Sequence, residues 1–159
     1  MHFRLILCLL LMGIKSQSQE IIPLPNSYKQ TAGDFKVPAN LTISATGDTF
    51  AGLIPSFSAS VKNLAGIEVK AIQKNSSILL VRDAAILGKE AYRLKIEPGK
   101  ITIEAGTGAG CFYGLQSLLQ LLHSTGKNRK IACGYISDQP RYEWRGLMLD
   151  ESRHFFGEE

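Results

Sequence analysis

What this chain has little of narrows the field first. Its 159 residues include three cysteines, three histidines and one tryptophan, and no Cys or His pair falls at the ligand spacing a zinc site needs. No metal site is indicated, and no motif calls for a cofactor. Lysine and arginine outnumber the acids for a formal charge of +4, yet they form no dense run and no basic stripe with interleaved aromatics, which argues against nucleic acid. Internal repeats and low-complexity tracts are absent. With 45% hydrophobic composition over this length the chain can bury one ordinary core, so a single small domain plus extras is expected and a large enzyme is excluded.

The one long apolar run is at the front. Residues 1–4 carry positive charge, residues 5–14 are apolar and residues 16–18 supply small side chains for cleavage. This is the pattern of a signal peptide over residues 1–18, and the run is too short to span a bilayer comfortably. Export to the periplasm or the extracellular space follows, with no membrane span after cleavage. Cys8 lies inside the apolar run, a poor place for a lipid anchor. Removing the leader leaves Cys111 and Cys133, for which a disulfide or two buried thiols both fit.

Beyond the leader, the prolines of Ile21-Ile22-Pro23-Leu24-Pro25 suit an edge or connecting strand and exclude a helix. Short strands are expected at 34–37 and 41–44. From Asp48 the period turns helical through Phe50, Leu53, Ile54, Phe57, Val61 and Leu64, with Asp48 as cap, Gly66 just past the end and Pro55 kinking or splitting the helix. Residues 67–73 and 77–82 are β-compatible, with Asn75-Ser76 as a turn. The clearest local pattern is a hairpin. Tyr92, Leu94 and Ile96 alternate with polar residues, Glu97-Pro98-Gly99-Lys100 turns, and Ile101, Ile103 and Ala105 alternate again.

Gly106-Thr107-Gly108-Ala109-Gly110 invites a phosphate-loop reading, but its spacing is not GxGxxG and no lysine follows. A tight strand-to-helix turn is the better account. The next helix presents Phe112, Leu115, Leu118, Leu119 and Leu122 on one face, and His123 in its last turn suits the helix dipole rather than catalysis. Residues 130–137 return as a strand. The sum is an α+β domain over residues 19–138, a mainly antiparallel sheet with helices on one face. Pro140 stiffens the connection to a second segment, 139–159.

In that segment Arg145-Gly146-Leu147-Met148-Leu149-Asp150 is a short apolar run with a charge at each end, which reads as a buried strand. A strand buried on both faces needs neighbours, and the nine residues after Asp150 cannot supply them, so a further, incomplete domain is expected to open here. This run, with Ser152-Arg153-His154-Phe155 after it and Asp138-Gln139-Pro140-Arg141-Tyr142 before it, resembles the first barrel strand of family 20 glycoside hydrolases, the β-N-acetylhexosaminidases. The stretch from Gly110-Cys111-Phe112-Tyr113-Gly114 to Leu121 resembles the last long helix of the small domain that precedes that barrel.

The resemblance implies a (β/α)8 barrel beginning at residue 139, a substrate ending in N-acetylglucosamine or N-acetylgalactosamine, as on glycans or chitooligosaccharides, and substrate-assisted retaining hydrolysis. Family 20 departs from the two-carboxylate rule because the substrate's acetamido oxygen is the nucleophile. In the family an Asp orients that group and a neighbouring Glu is acid and base. No position of this chain matches the pair, so the chain alone is expected to be inactive, its small domain packing on the barrel it lacks. Arg145 matches the family's arginine that hydrogen-bonds hydroxyls of the terminal sugar, a task suited to a rigid guanidinium fork. A structural ion pair at the domain junction is the competing role. Asp150, Arg153 and His154 also fit the family pattern, as partners that fix the strand end, and Trp144 suits packing beside the boundary. Two other classes stay open: a non-catalytic carbohydrate-binding or interaction module, and the front domain of a different barrel glycosidase, such as an O-GlcNAc hydrolase or an α-glucuronidase.

Overall fold

The computed structural model describes residues 21–148. In chain order these form β1 (Ser27–Lys36), β2 (Leu41–Ala45), α1 (Asp48–Ala51), α2 (Ile54–Ala65), β3 (Val69–Ala71), β4 (Ile78–Arg82), β5 (Tyr92–Glu97), β6 (Lys100–Ala105), α3 (Gly108–Ser124), a 3-10 turn (Gly126–Asn128) and β7 (Lys130–Asp138). The expected signal peptide, residues 1–18, lies outside the described residues.

Local chemistry accounts for most of these boundaries. The β5–β6 hairpin closes on Pro98-Gly99, with Glu97 paired to Lys100 and Gly99 at φ +89°, a conformation glycine adopts without steric cost. The helical period from Asp48 breaks at Gly52-Leu53, so that Pro55 falls in the first turn of α2, where its missing N–H costs nothing. Gly66 ends α2 in the left-handed conformation and its N–H donates to Lys62 O. Asp48 is not the cap expected of it. The cap position is Gly47, and the Asp48 carboxylate stands in the first turn, where it favours the helix dipole.

The seven strands form one sheet in the order β1-β7-β5-β6-β4-β2-β3. The expectation of a mainly antiparallel sheet is corrected here. β1–β7, β5–β7 and β5–β6 are antiparallel, but β4–β6, β2–β4 and β2–β3 are parallel. The cause is where the hairpin docks: β6, not β5, lies against β4, and a strand antiparallel to β5 then runs with β4. On the other side α1 and α2 carry the chain from β2 back to a parallel β3, as a crossover must. The α+β class stands, with a mixed sheet.

One face of the sheet holds the core. Ile136, Leu94, Ile103 and Leu80 lie side by side across four strands in register, each buried, and they share a single apolar cluster with Phe50, Phe57 and Val61 of the first two helices and Leu115, Leu118 and Leu122 of α3. The opposite face is wet and polar. Lys95 there reaches Glu97 at 2.8 Å and sits 5.7 Å from the Tyr135 ring centre.

Two apolar assignments are corrected. Phe112 is exposed, edge-on to Tyr113 at 5.5 Å, because the core face of α3 runs through Cys111, Leu115 and Leu118 instead. Leu64 is exposed as well, at the last turn of α2, and its carbonyl accepts a 2.8 Å hydrogen bond from His123 Nδ1. Cys111 and Cys133 are both buried and free, which resolves the two readings in favour of thiols.

Candidate functional site

The chemistry-bearing residues collect at one end of the sheet. Tyr92 opens β5 opposite Asp138 at the close of β7 and Ala105 at the close of β6. α3 starts three residues beyond Ala105, so its N-terminus stands at this end too. The glycines there serve close approach. A Cβ on Gly110 would lie 2.2 Å from Ala91 O, and one on Gly106 would lie 2.6 Å from Ile86 O. Only bare backbone lets the 83–91 loop cross this closely over the helix start. Thr107 locks the crossing: its hydroxyl accepts from Gly110 N at 3.1 Å and donates to Lys89 O. The cluster is structural, as its spacing suggested.

The loop so fixed carries Glu90, and the helix carries Tyr113. Between them lies Arg145. Its Nη2 donates to Glu90 Oε2 at 2.6 Å and to the Tyr113 hydroxyl at 3.3 Å, while Nη1 donates to Tyr142 O at 3.4 Å. The guanidinium carbon also sits 5.6 Å from the Tyr113 ring centre, within cation–π range. The hydrogen bond to Glu90, then the Glu90 charge and the Tyr113 hydroxyl, raise the pKa of an arginine that is charged in any case. Here Arg145 makes the ion pair that was weighed against a sugar contact. The run it heads is unpaired over its described part, with Leu147 92% and Met148 91% exposed. Asp150, Arg153 and His154 lie outside the described residues.

A second cluster ties the start of the domain to its end. Asn26 N donates to Asp138 Oδ1 at 3.0 Å, and Asn26 Nδ2 donates to Gln139 O at 2.9 Å. The other carboxylate oxygen of Asp138 is 3.5 Å from the Tyr92 hydroxyl, which pairs with Ser117 Oγ at 2.7 Å beneath α3. Burial, opposed by the Ser117 hydrogen bond and aided by the Asp138 charge, pushes the Tyr92 phenol up to about 12. Asn26, Ile86, Tyr92, Asp138 and Gln139 line an open cleft of about 270 Å³ beside this network. Among the described residues no group of three His, Cys, Asp or Glu side chains converges as a metal site would require. Among the described residues Asp138 is the one acid lining the cleft, so they bring no pair of neighbouring carboxylates to it.

Sequence reasoning did not single out Glu90 or Asn26. Neither belongs to a motif, and only the crossing of the 83–91 loop and the return of β7 bring them to this end. Tyr113 was within the helix stretch that carried the resemblance, though not assigned a role.

Comparison with known proteins supplies the context for this end of the molecule. Residues 18–139 match the family model for glycosyl hydrolase family 20, domain 2. A β-hexosaminidase of Akkermansia muciniphila is 41% identical over 83 residues, 52% of this chain and 17% of its own. One from Porphyromonas gingivalis is 29% identical over 151 residues, 87% of this chain and 19% of its own. The chain thus spans about a fifth of the length of the curated relatives it matches. Among solved structures, a family 20 exo-β-N-acetylglucosaminidase of Vibrio harveyi in complex with N-acetylglucosamine aligns with 87% of this chain and 22% of its own at a TM-score of 0.77 and 25% identity. The Streptomyces plicatus N-acetyl-β-hexosaminidase aligns with 87% of this chain and 30% of its own at a TM-score of 0.74 and 29% identity. The domain model covers most of the chain, and solved family 20 structures share its fold: the chain belongs to glycosyl hydrolase family 20.

Proposed function

We propose that the protein carrying this domain is an exported β-N-acetylhexosaminidase, acting on glycans or chitooligosaccharides that end in N-acetylglucosamine or N-acetylgalactosamine. Its catalytic Asp–Glu pair belongs to a barrel outside this chain, and residues 19–138 are the small domain that packs on it. The observation that carries this reading is the match of residues 18–139 to a domain of the family, in a chain whose apolar Leu147 and Met148 point into solvent just past it. In this reading residues 145–150 form the first barrel strand once neighbouring strands cover them. The Asn26 tie to Asp138 and Gln139 supports a domain boundary close to residue 138, and the leader pattern supports export. No helix among the described residues is long and apolar enough to cross a membrane.

Arg145 in this reading donates hydrogen bonds to hydroxyls of the terminal sugar, and Asp150, Arg153 and His154 pair internally to fix the end of the strand. Replacing the fork by a single ammonium removes the paired donors while keeping the charge. In the whole protein, Arg145→Lys is expected to lower kcat/KM on p-nitrophenyl N-acetyl-β-D-glucosaminide by about tenfold to a hundredfold, as loss of one or two charge-assisted hydrogen bonds would. An unchanged kcat/KM removes Arg145 from the sugar site.

A further inference from the structure

We infer that Glu90 and Tyr113 form a parking site for Arg145 on the small domain, and that an arginine parked there cannot offer a two-nitrogen fork to a sugar. The inference rests on the sugar-contact reading of Arg145. Its basis is which nitrogen is engaged. A guanidinium has two edges able to grip a pair of oxygens, Nη1 with Nη2 and Nε with Nη2, and Nη2 belongs to both. Nη2 carries two hydrogens. Nη2 donates to Glu90 Oε2 at 2.6 Å and to the Tyr113 hydroxyl at 3.3 Å. Both forks are therefore closed while the arginine is held.

The site is built rather than incidental. Glu90 is presented by a loop whose path is fixed by Thr107 and by the bare backbone of Gly106 and Gly110, and Tyr113 rises from the first turns of α3. The Tyr113 ring supports the guanidinium at 5.6 Å while its hydroxyl accepts from it. The pair is partly exposed, its side chains 41% and 30% accessible, so salt should loosen it and the arginine can leave without a large barrier. The small domain then holds the segment around Arg145 through that side chain and yields it as salt rises or as the arginine is claimed elsewhere. Two ligands competing for one residue shift its population in proportion to the fraction each leaves free.

The test has one arm without sugar and one with it. Trp144, the only tryptophan, adjoins Arg145 and is 90% exposed, so its fluorescence anisotropy reports how firmly the segment is held. In the 159-residue chain Glu90→Gln and Tyr113→Phe should each lower that anisotropy and speed amide exchange over 142–146 by about twofold to fivefold, the range an exposed ion pair commands. Exchange in β5 and β7 should stay unchanged. Raising salt to 0.5 M should loosen the parent chain and leave the Glu90→Gln chain as it was. The exchange Glu90→Arg with Arg145→Glu should restore the hold. A segment equally mobile in the parent and Glu90→Gln chains overturns the parking site. In the whole protein Glu90→Gln should lower KM for the aryl glucosaminide by up to the same factor. A KM unchanged by Glu90→Gln alongside a kcat/KM lowered by Arg145→Lys overturns the competition and leaves the sugar contact standing, whereas a kcat/KM indifferent to Arg145→Lys removes the sugar contact itself.

Discussion

Between pH 9 and pH 12 the domain is expected to lose about 6 kcal/mol of stability, a large share of the roughly 5–15 kcal/mol typical of a folded domain. Cys111 is the larger source. Its thiol is fully buried on the core face of α3, and burial pushes its pKa up from 9.0 to about 12. The folded state therefore keeps a proton that the unfolded chain gives up near pH 9. Stability from this group is complete below pH 9 and drains away as the pH climbs to 12, by about 1.4 kcal/mol for each unit and about 4 kcal/mol in all. Tyr92 acts in the same sense over a narrower window. Its phenol, raised mainly by burial from 10.0 to about 12, adds about 2 to 3 kcal/mol of loss between pH 10 and 12. Cys133, also raised by burial and by Asp34 and Glu97, pulls in the same direction. Urea unfolding at pH 7.5, 9, 10 and 11 would show the midpoint falling from about pH 9 onward. Cys111→Ala should start lower at pH 7.5, for lost packing, and fall less steeply between pH 9 and 10. A midpoint flat to pH 11 would mean that the thiol is not where the fold places it.

Gly110→Ala is expected to cost about 3 kcal/mol, at the upper end of what overpacking a tight site costs, with a fall in Tm of about 9 °C for a domain of this size. The added methyl would stand 2.2 Å from Ala91 O, 3.1 Å from Ala91 C and 3.2 Å from Ala105 Cβ. Two of these are backbone atoms, so no side-chain rotation relieves the clash. Either α3 lifts from the hairpin or the 83–91 loop moves off the helix. Gly52→Ala is the control, since that residue has an ordinary φ of −61° and nothing nearer than 3.8 Å to the new methyl; it should be neutral or slightly stabilising. The clash also bears on function, because the loop that must move carries Glu90. In the Gly110→Ala chain Trp144 anisotropy should fall together with stability. Thermal unfolding of the two variants beside the parent settles it: equal Tm values for all three would refute the close crossing.

How far the sequence foretold these features follows from the range of the interactions involved. The hairpin from Tyr92 to Ala105 was legible because alternation, turn residues and pairing partners all lie within fourteen residues. The break before Pro55 and the stop at Gly66 were legible because backbone chemistry alone imposes them. Sheet direction was not. Nothing in the hairpin's own residues says whether β5 or β6 will meet β4, and the parallel β4–β6 pairing follows from that choice, while the parallel β2–β4 and β2–β3 pairings follow from the connections between those strands. The first half of β1 was missed because Gln30 to Gly33 interrupts the alternation, and the register indeed shifts between Gln30 and Asp34. Phe112 was misassigned because two helix faces were both apolar enough, and packing against β5 and β6 selected the one with Cys111 and Gly114. Arg145 was found through the motif around it, but its partners Glu90 and Tyr113 lie 55 and 32 residues away. No local pattern could name them.

The central proposal is that residues 19–138 form a supporting domain and that hydrolysis resides in a barrel outside this chain. It is tested most directly by assaying p-nitrophenyl N-acetyl-β-D-glucosaminide with the purified 159-residue chain and, in parallel, with a protein that carries this domain joined to the proposed barrel. The account predicts no release of p-nitrophenol above the buffer rate from the chain and steady turnover from the whole protein. Turnover by the chain alone, or none by the whole protein, would contradict it.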